Sequence, residues 1–354
     1  MNSKTRDTRQ SLENLKGEIE FRAKLATQHV SGQVVLPDYY DREEHNRILL
    51  ERIETTAQKL NELKESGVNF SPFLELGAER GQRSLVLTND FGAEGIAIDI
   101  SFHQLRTMEH FAGLFQKEKL PLRICCDASH LPFRSDSFPF IFCYQFLHHF
   151  PSLEPVTKEI HRVLSQGHFY FDEEPFKRVL KLNLYRQRSK IYSKRAFQKN
   201  KYVNLIESFI SEAPCDEVEH GIIENNNISL TEWISALSTF DGYDVDLFSI
   251  YNVTSKLHDH LRLSNIPNIL LGGRIAGLCC KKFQVERNPQ IDVIDLLACP
   301  VCKIPTSNGD FDRPPLIKLS NGYKCYQCDF IYPCRDGIIF LLPRAELQEL
   351  YPDV

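Results

Sequence analysis

Four cysteines and one glycine turn carry the most legible chemistry in the chain. Cys299-Pro300-Val301-Cys302 and Cys325-Tyr326-Gln327-Cys328 are C-x-x-C pairs with 22 residues between them. Each pair makes one turn that aims two thiolates at a common point, which suits a tetrahedral zinc ion. Four ligands leave no open position, so the expected zinc is structural. The second stretch is Phe73-Leu-Glu-Leu-Gly77-Ala-Glu-Arg-Gly81, an apolar run broken by two glycines and followed by a helix-like run over residues 82–87. A strand, a tight turn and a helix N-terminus let a ligand's polar groups approach bare backbone at the positive end of the helix dipole. Asp99 lies some twenty residues beyond the glycines at the end of another apolar run. In a dinucleotide-type fold a carboxylate there accepts both ribose hydroxyls; its alternative role is to cap the next helix. His148 and His149 close a later apolar run, and Glu173 and Glu174 the one after it. These are the titratable groups best placed for proton transfer.

The elements that must position these residues follow from the pattern. Residues 11–67 read as helical, with Ile48, Leu49, Ile53, Ala57, Leu60 and Leu63 at three- and four-residue spacing and Gly67 as the stop. That helix covers a sheet face, or else Tyr39 and Tyr40 just before it form part of a lid. Strands are expected over 73–76, 95–100, 122–126, 140–146 and 168–171, with helices at 101–119, capped by Ser101, and 154–164. A helix at 230–237 and strands at 243–250 and 275–280 complete the main body. Strands alternating with helices predict an α/β fold: a doubly wound, mostly parallel, Rossmann-like sheet with its chemistry at the strand carboxyl ends. The expected organisation is a helical segment (1–68), a main domain (69–284) with an insertion at about 174–228, a linker at 287–290 and a small zinc ribbon (291–345). Cys125, Cys126, Cys143, Cys279 and Cys280 read as buried strand residues, and Cys334 as packing.

Taken together, Glu75-x-Gly77-x-x-x-Gly81, Asp99, Asp127-Ala128-x-x-Leu131-Pro132-Phe133, Leu147-His148-His149 and Arg162-Val163-Leu164-x-x-Gly167 resemble class I S-adenosylmethionine-dependent methyltransferases. The resemblance covers roughly residues 70–175 and continues more weakly to 282. It implies that Glu75, Gly77 and Gly81 cradle the methionine part of the cofactor, that Asp99 holds the ribose, and that Asp127 with the Ala128 backbone contacts adenine. It also implies a final antiparallel pair of strands. His148 or His149 is then the candidate base for a methyl acceptor, with Glu173 next. The chain departs from the family at Glu79, where a third glycine is usual, and at Pro139, where an acid is usual. The C-terminal segment, with Asp295-Leu296-Leu297-x-Cys299-Pro300-x-Cys302-Lys303, Cys325-x-x-Cys328, Tyr332-Pro333 and Asp336-Gly337-Ile338, resembles another family. It looks like the small zinc-binding subunit that activates tRNA, rRNA and release-factor methyltransferases.

The rest of the composition bounds the function. With 354 residues, 42% of them hydrophobic and 25% charged, the chain is expected to be globular. A net charge of −5 gives no overall pull towards nucleic acid or membrane. No apolar run approaches the ~20 residues that span a bilayer, and residues 1–10 lack a signal-peptide core, so the expected location is the cytoplasm. There the eleven cysteines read as thiols or metal ligands rather than disulfides. Between Lys177 and Lys201 stand ten Lys or Arg and no acid. That block reads either as a site for phosphate, a nucleotide-linked sugar, RNA or an anionic membrane surface, or as the solvated face of a helix pair forming a substrate lid. The expected activity is methylation of a small or carrier-linked, possibly phosphorylated, metabolite, since the insertion favours an enclosed site. The alternatives are methylation of tRNA, rRNA or protein, and a methyltransferase fold that binds without catalysis.

Overall fold

The computed structural model describes residues 3–33, 35, 42–177, 185–186, 211–212, 222–249, 254–259, 270, 273–282, 292–306 and 311–354. Tyr39, Tyr40, the 287–290 linker and nearly all of the basic block lie outside these residues. The region read as one helical stretch is two helices, α1 (Ser3–Ser31) and α2 (Arg42–Glu65). Gly32, at φ 72°, ends the first, and its amide bonds back to the Gln28 carbonyl. Gly67, at φ 90°, ends the second as expected.

The main body alternates β1 (Phe73–Leu76), α3 (Gln82–Asp90), β2 (Gly95–Asp99), α4 (Phe102–Leu114), β3 (Leu122–Cys125), β4 (Phe138–Tyr144), α5 (Leu153–Val163) and β5 (Leu164–Phe176). A short parallel pair, β6 (Tyr185–Arg186) with β7 (Ser211–Glu212), comes next. Then follow α6 (Leu230–Leu237), β8 (Gly242–Ser249), β9 (Thr254–Lys256) and β10 (Gly273–Lys281). β1 pairs in parallel with β2 and β4, β2 with β3, and β4 with β5. β10 runs antiparallel between β5 and β8. The fold is the expected α/β doubly wound sheet with an antiparallel end.

The fifth strand is longer than its apolar run, because its first residues pair with the start of β4 across an irregular register between Phe138 and Phe140. Pro139 sits there without a ladder donor, and Gly167 faces it so closely that a Cβ would lie 2.0 Å from the Pro139 carbonyl oxygen. Alternate strand residues feed two cores. Leu74, Leu76, Ile96 and Ile98 face Val156 and Ile160 of α5 and Trp233 and Leu237 of α6. On the other side Phe73, Phe140 and Phe142 meet Leu60 and Leu63 of α2, while Ala97 joins Leu105 and Met108 of α4 and Ile19 of α1.

The C-terminal residues carry β11 (Ile304–Pro305), β12 (Phe311–Asp312), β13 (Leu316–Leu319), β14 (Gly322–Cys325), β15 (Ile331–Arg335), β16 (Ile338–Phe340) and α7 (Arg344–Leu350). They continue the main sheet: β16 lies parallel to β3, and β15, β14 and β13 follow outward to make twelve strands. Leu297, Cys299 and Tyr332 share a core with Leu131 and Phe133 of the main body. Cys125, Cys126, Cys143 and Cys279 are buried as expected, but Cys280 is only half-buried and Cys334 is exposed on β15 rather than packed. Among the described residues no helix is long and apolar enough to cross a membrane.

Candidate functional site

The turn after β1 passes through the left-handed region three times, at Gly77 (φ 63°), Glu79 (φ 47°) and Gly81 (φ 67°). The middle position therefore adopts the conformation a glycine would favour, at a cost of ~1 kcal/mol or more for a residue with a Cβ. Gly77 is also sterically required, since a Cβ would lie 2.4 Å from the Phe146 ring. At Gly81 it would lie 2.1 Å from Met108 Cε, so the space beside that glycine is filled by α4. Asp99 ties the turn to β2: Oδ2 accepts the Glu79 amide at 2.9 Å and Oδ1 the Ser101 amide at 2.8 Å. Ser101 also caps α4, as expected, by accepting from the Gln104 amide. Burial pushes the Asp99 carboxyl up to about 7. Glu75, inside β1, accepts the Ser84 amide at 3.1 Å and the Ser84 hydroxyl, and burial pushes it to about 7 as well.

Glu79 turns its carboxylate onto α1. Its carboxylate binds Arg22 of α1 at 3.0 Å, and, against the cost of burial, Arg22 with Arg80, Arg52 and Arg83 holds its pKa at about 2. Asp127 accepts from the Ser129 amide at 2.8 Å and the Ser129 hydroxyl at 2.7 Å, capping the 3-10 turn at Ala128–His130. Beside Asp127 stands Glu346 of α7. Its Oε2 is buried without a hydrogen-bond partner among the described residues, and burial with the Asp127 charge pushes its pKa to about 7. The Gln82 side chain, 1% exposed at the start of α3, likewise has both polar atoms unpartnered among the described residues.

His148 and His149 lie on a 3-10 turn at the carboxyl end of β4, with ring centroids 4.3 Å apart. Glu174, fully buried, organises that turn. Oε1 accepts the Phe146 and Leu147 amides at 2.7 and 2.9 Å, and Oε2 accepts from His148 Nδ1 at 2.8 Å. On its other side His148 Nε2 is 3.5 Å from Glu224 Oε2. His149 donates its Nδ1–H to the Ile223 carbonyl at 2.9 Å and lies 3.5 Å from Glu224 Oε1. Burial, and the neighbouring His148, keep the His149 pKa below its ordinary value. Glu173 is not part of this cluster. It takes φ 60° and sits 3.9 Å from Arg83, whose guanidinium stacks 3.8 Å over the Tyr144 ring.

The four C-terminal cysteines do converge. One sulfur from each of Cys299, Cys302, Cys325 and Cys328 lies within 4.8 Å of the others. Cys299 Sγ accepts the Cys302 amide at 3.4 Å and the Tyr332 hydroxyl at 3.1 Å, and the Gln327 amide donates to Cys325 Sγ at 3.4 Å. Against burial, the Tyr332 hydroxyl and the Cys302 amide hold the Cys299 thiol below its usual range. N–H donors to sulfur and four converging thiols are the donor set of a tetrahedral zinc site. Arg22, Glu224 and Glu346 carry no motif, and only the folded chain shows their place. Glu174 had been legible only as a carboxylate at a strand end.

Residues 74–171 match the family described as "Methyltransferase domain". The chain is 27% identical over 118 residues to "Sterol methyltransferase-like 3" of Botryococcus braunii, covering 32% of this chain. It thus spans 30% of the length of that curated relative. Among solved structures, the YcgJ protein of Bacillus subtilis is similar at 17% identity and TM-score 0.39, over 65% of this chain and 100% of that one. An S-adenosylmethionine-dependent methyltransferase of Methanosarcina mazei is similar at 20% and 0.37, over 63% and 98%. Geranyl diphosphate C-methyltransferase of Streptomyces coelicolor is similar at 13% and 0.40, over 64% and 76%.

Proposed function

We propose that the chain is an S-adenosylmethionine-dependent methyltransferase acting on a small or carrier-linked metabolite. The observation that carries this reading is Asp99, placed at the carboxyl end of β2 across from the glycine turn. Each of its oxygens accepts one backbone amide and keeps a lone pair for a ribose hydroxyl. The residues present fit the cofactor in two further ways. The orphaned Glu346 oxygen beside Asp127 suits the amino group of an adenine, and the unpartnered Gln82 amide supplies a donor and an acceptor behind the turn.

When bound, the cofactor supplies a methyl group on an electrophilic sulfonium, so the chain's own task is largely positioning and proton handling. Asp99 holds the sugar, Asp127 with the Ala128 backbone and Glu346 holds the base, and Glu75 fixes the first turn of α3 through Ser84. The cluster at the end of β4, His148 and His149 with Glu224, handles the proton that the acceptor loses. Glu174 fixes the His148 ring so that Nε2 faces the site. Glu173 orients Arg83 over Tyr144. The side chains of His148 and Glu224 are only 9% and 11% exposed, so an acceptor must present a slender group. This favours a small metabolite over a flat macromolecular surface, and the sterol-methyltransferase-like relative accords with it. A zinc ion on Cys299, Cys302, Cys325 and Cys328 belongs to the same reading in a structural role, its four ligands leaving no open position. Calorimetry with S-adenosylhomocysteine tests the assignment: one site per chain is expected, and no heat at millimolar ligand contradicts it.

A further inference from the structure

The cluster at the end of β4 is built more tightly than proton transfer alone requires. One ligand atom from each of His148, His149 and Glu224 lies within 4.8 Å of the others. His148 donates Nδ1–H to the buried Glu174 carboxylate, which leaves the Nε2 lone pair facing Glu224. His149 donates Nδ1–H to the Ile223 carbonyl, and that nitrogen also lies 3.5 Å from Glu224, so the ligand atom of this ring is Nε2. A carboxylate or a carbonyl behind each imidazole is the arrangement that orients histidines towards a metal ion. The third ligand is anchored too. Glu224 sits between Ile223, held by His149, and Asn225, whose amide donates to the His148 carbonyl at 2.8 Å.

We propose that His148, His149 and Glu224 bind a divalent first-row transition-metal ion, with Glu174 as the residue that positions His148. Two imidazoles and one carboxylate occupy one face of such an ion and leave positions for oxygen donors. Those positions take water in the resting protein and a hydroxyl or phosphate oxygen of the acceptor during turnover. A hydroxyl bound there loses its proton more readily, and the proton passes to the Glu224 oxygen that does not ligate the ion, in place of the histidine lone pairs. The inference rests on the methyltransferase reading only for what the ion does. Its presence is a separate question.

The test is a cobalt titration of the full chain, with zinc already on the four cysteines, followed by visible absorption. Cobalt on nitrogen and oxygen donors gives a weak ligand-field band, whereas cobalt on thiolates adds intense charge transfer in the near ultraviolet. The expected result is saturation at one equivalent without the thiolate signal, no saturable band in the His148→Ala/His149→Ala double variant, and affinity weakened at least tenfold in Glu224→Gln. Glu174→Gln, which touches no metal, is expected to weaken binding 10- to 100-fold. Absence of the band at millimolar cobalt, or a band unchanged in Glu224→Gln with a native melting profile, overturns the site and leaves a hydrogen-bonded brace. Calorimetry with S-adenosylhomocysteine on the same preparation is independent. Cofactor binding without cobalt binding sinks the metal site alone, and cobalt binding without cofactor binding sinks the methyltransferase reading alone.

Discussion

Glu79 stands in a left-handed conformation that a glycine would adopt without strain, and its carboxylate pairs with Arg22. Two effects oppose each other in Glu79→Gly. Relief of backbone strain favours the turn, and loss of the Arg22 pair loosens α1 from it. Removing a negative charge beside a ligand carboxylate, and releasing Arg22 to meet it, is expected to tighten S-adenosylhomocysteine binding roughly two- to tenfold, the size of an ion pair worth ~1 kcal/mol. Calorimetry reads the change, and weaker binding would mean that the Arg22–Glu79 pair holds the site open for ligand. Glu75 and Asp99 give a second prediction. Both are pushed to about 7 by burial, so near pH 6 each is largely protonated in the free protein. A cationic ligand and donating hydroxyls favour the carboxylate forms, so cofactor binding should release protons near pH 6 and stop doing so near pH 8.5. Binding heats measured in buffers of different ionisation enthalpy should show this. For the free protein the sign runs the other way. These raised pKa values give stability that is present below the ordinary carboxylate range and lost as pH rises through about 7.

The strands and helices around these residues differ in how far they could be read from the chain alone. β1 to β5 are written in apolar runs with polar punctuation, and Gly67, Ser101 and the C-x-x-C pairs mark stops, caps and ligands by type alone. Their order, with Asp99 at the end of β2, followed from that. What could not be read was which distant segment closes each side of the site. Arg22 lies 57 positions before Glu79, and Tyr351 249 positions after Phe102, yet both pairs are in contact. Such pairings follow from how α1, α7 and β16 dock, which no local period encodes. The start of β4 at Phe138 and the early start of β5 were missed because an irregular register leaves no pattern. The C-terminal docking carries its own prediction. The Tyr351 hydroxyl donates to the Ile100 carbonyl at 2.5 Å and accepts the Phe102 amide at 3.1 Å, bracing the turn that carries Asp99. Tyr351→Phe leaves both groups unsatisfied and should cost ~1–3 kcal/mol in denaturant unfolding, with weaker cofactor binding. An unchanged midpoint would show that water replaces the hydroxyl.

For the molecule as a whole, the zinc-type cluster is not an appendage. The sheet runs without interruption from β13 through β16 into β3 and on to β9. Cys299 and Cys325 are buried in the same core as Phe133 and Ile124. A cysteine cluster holding a small independent ribbon would unfold by itself when its ligands are removed. Here Cys299→Ser with Cys302→Ser is expected to lower the melting temperature of the entire chain in a single transition. Two transitions, the upper one unchanged, would mean that the C-terminal strands fold separately. The same continuity places Glu346 beside Asp127 and Tyr351 on the Ile100–Phe102 backbone next to Asp99, so the C-terminal strands and the proposed cofactor site should respond to each other. The central claim is that Asp99, held between the Glu79 and Ser101 amides, is the ribose-binding residue of a methyl-donor site. Calorimetric titration of S-adenosylhomocysteine into the full chain and into Asp99→Ala tests it most directly. One site per chain, weakened at least tenfold by the substitution, is the predicted result; no binding to the full chain, or equal affinity in the two proteins, would contradict it.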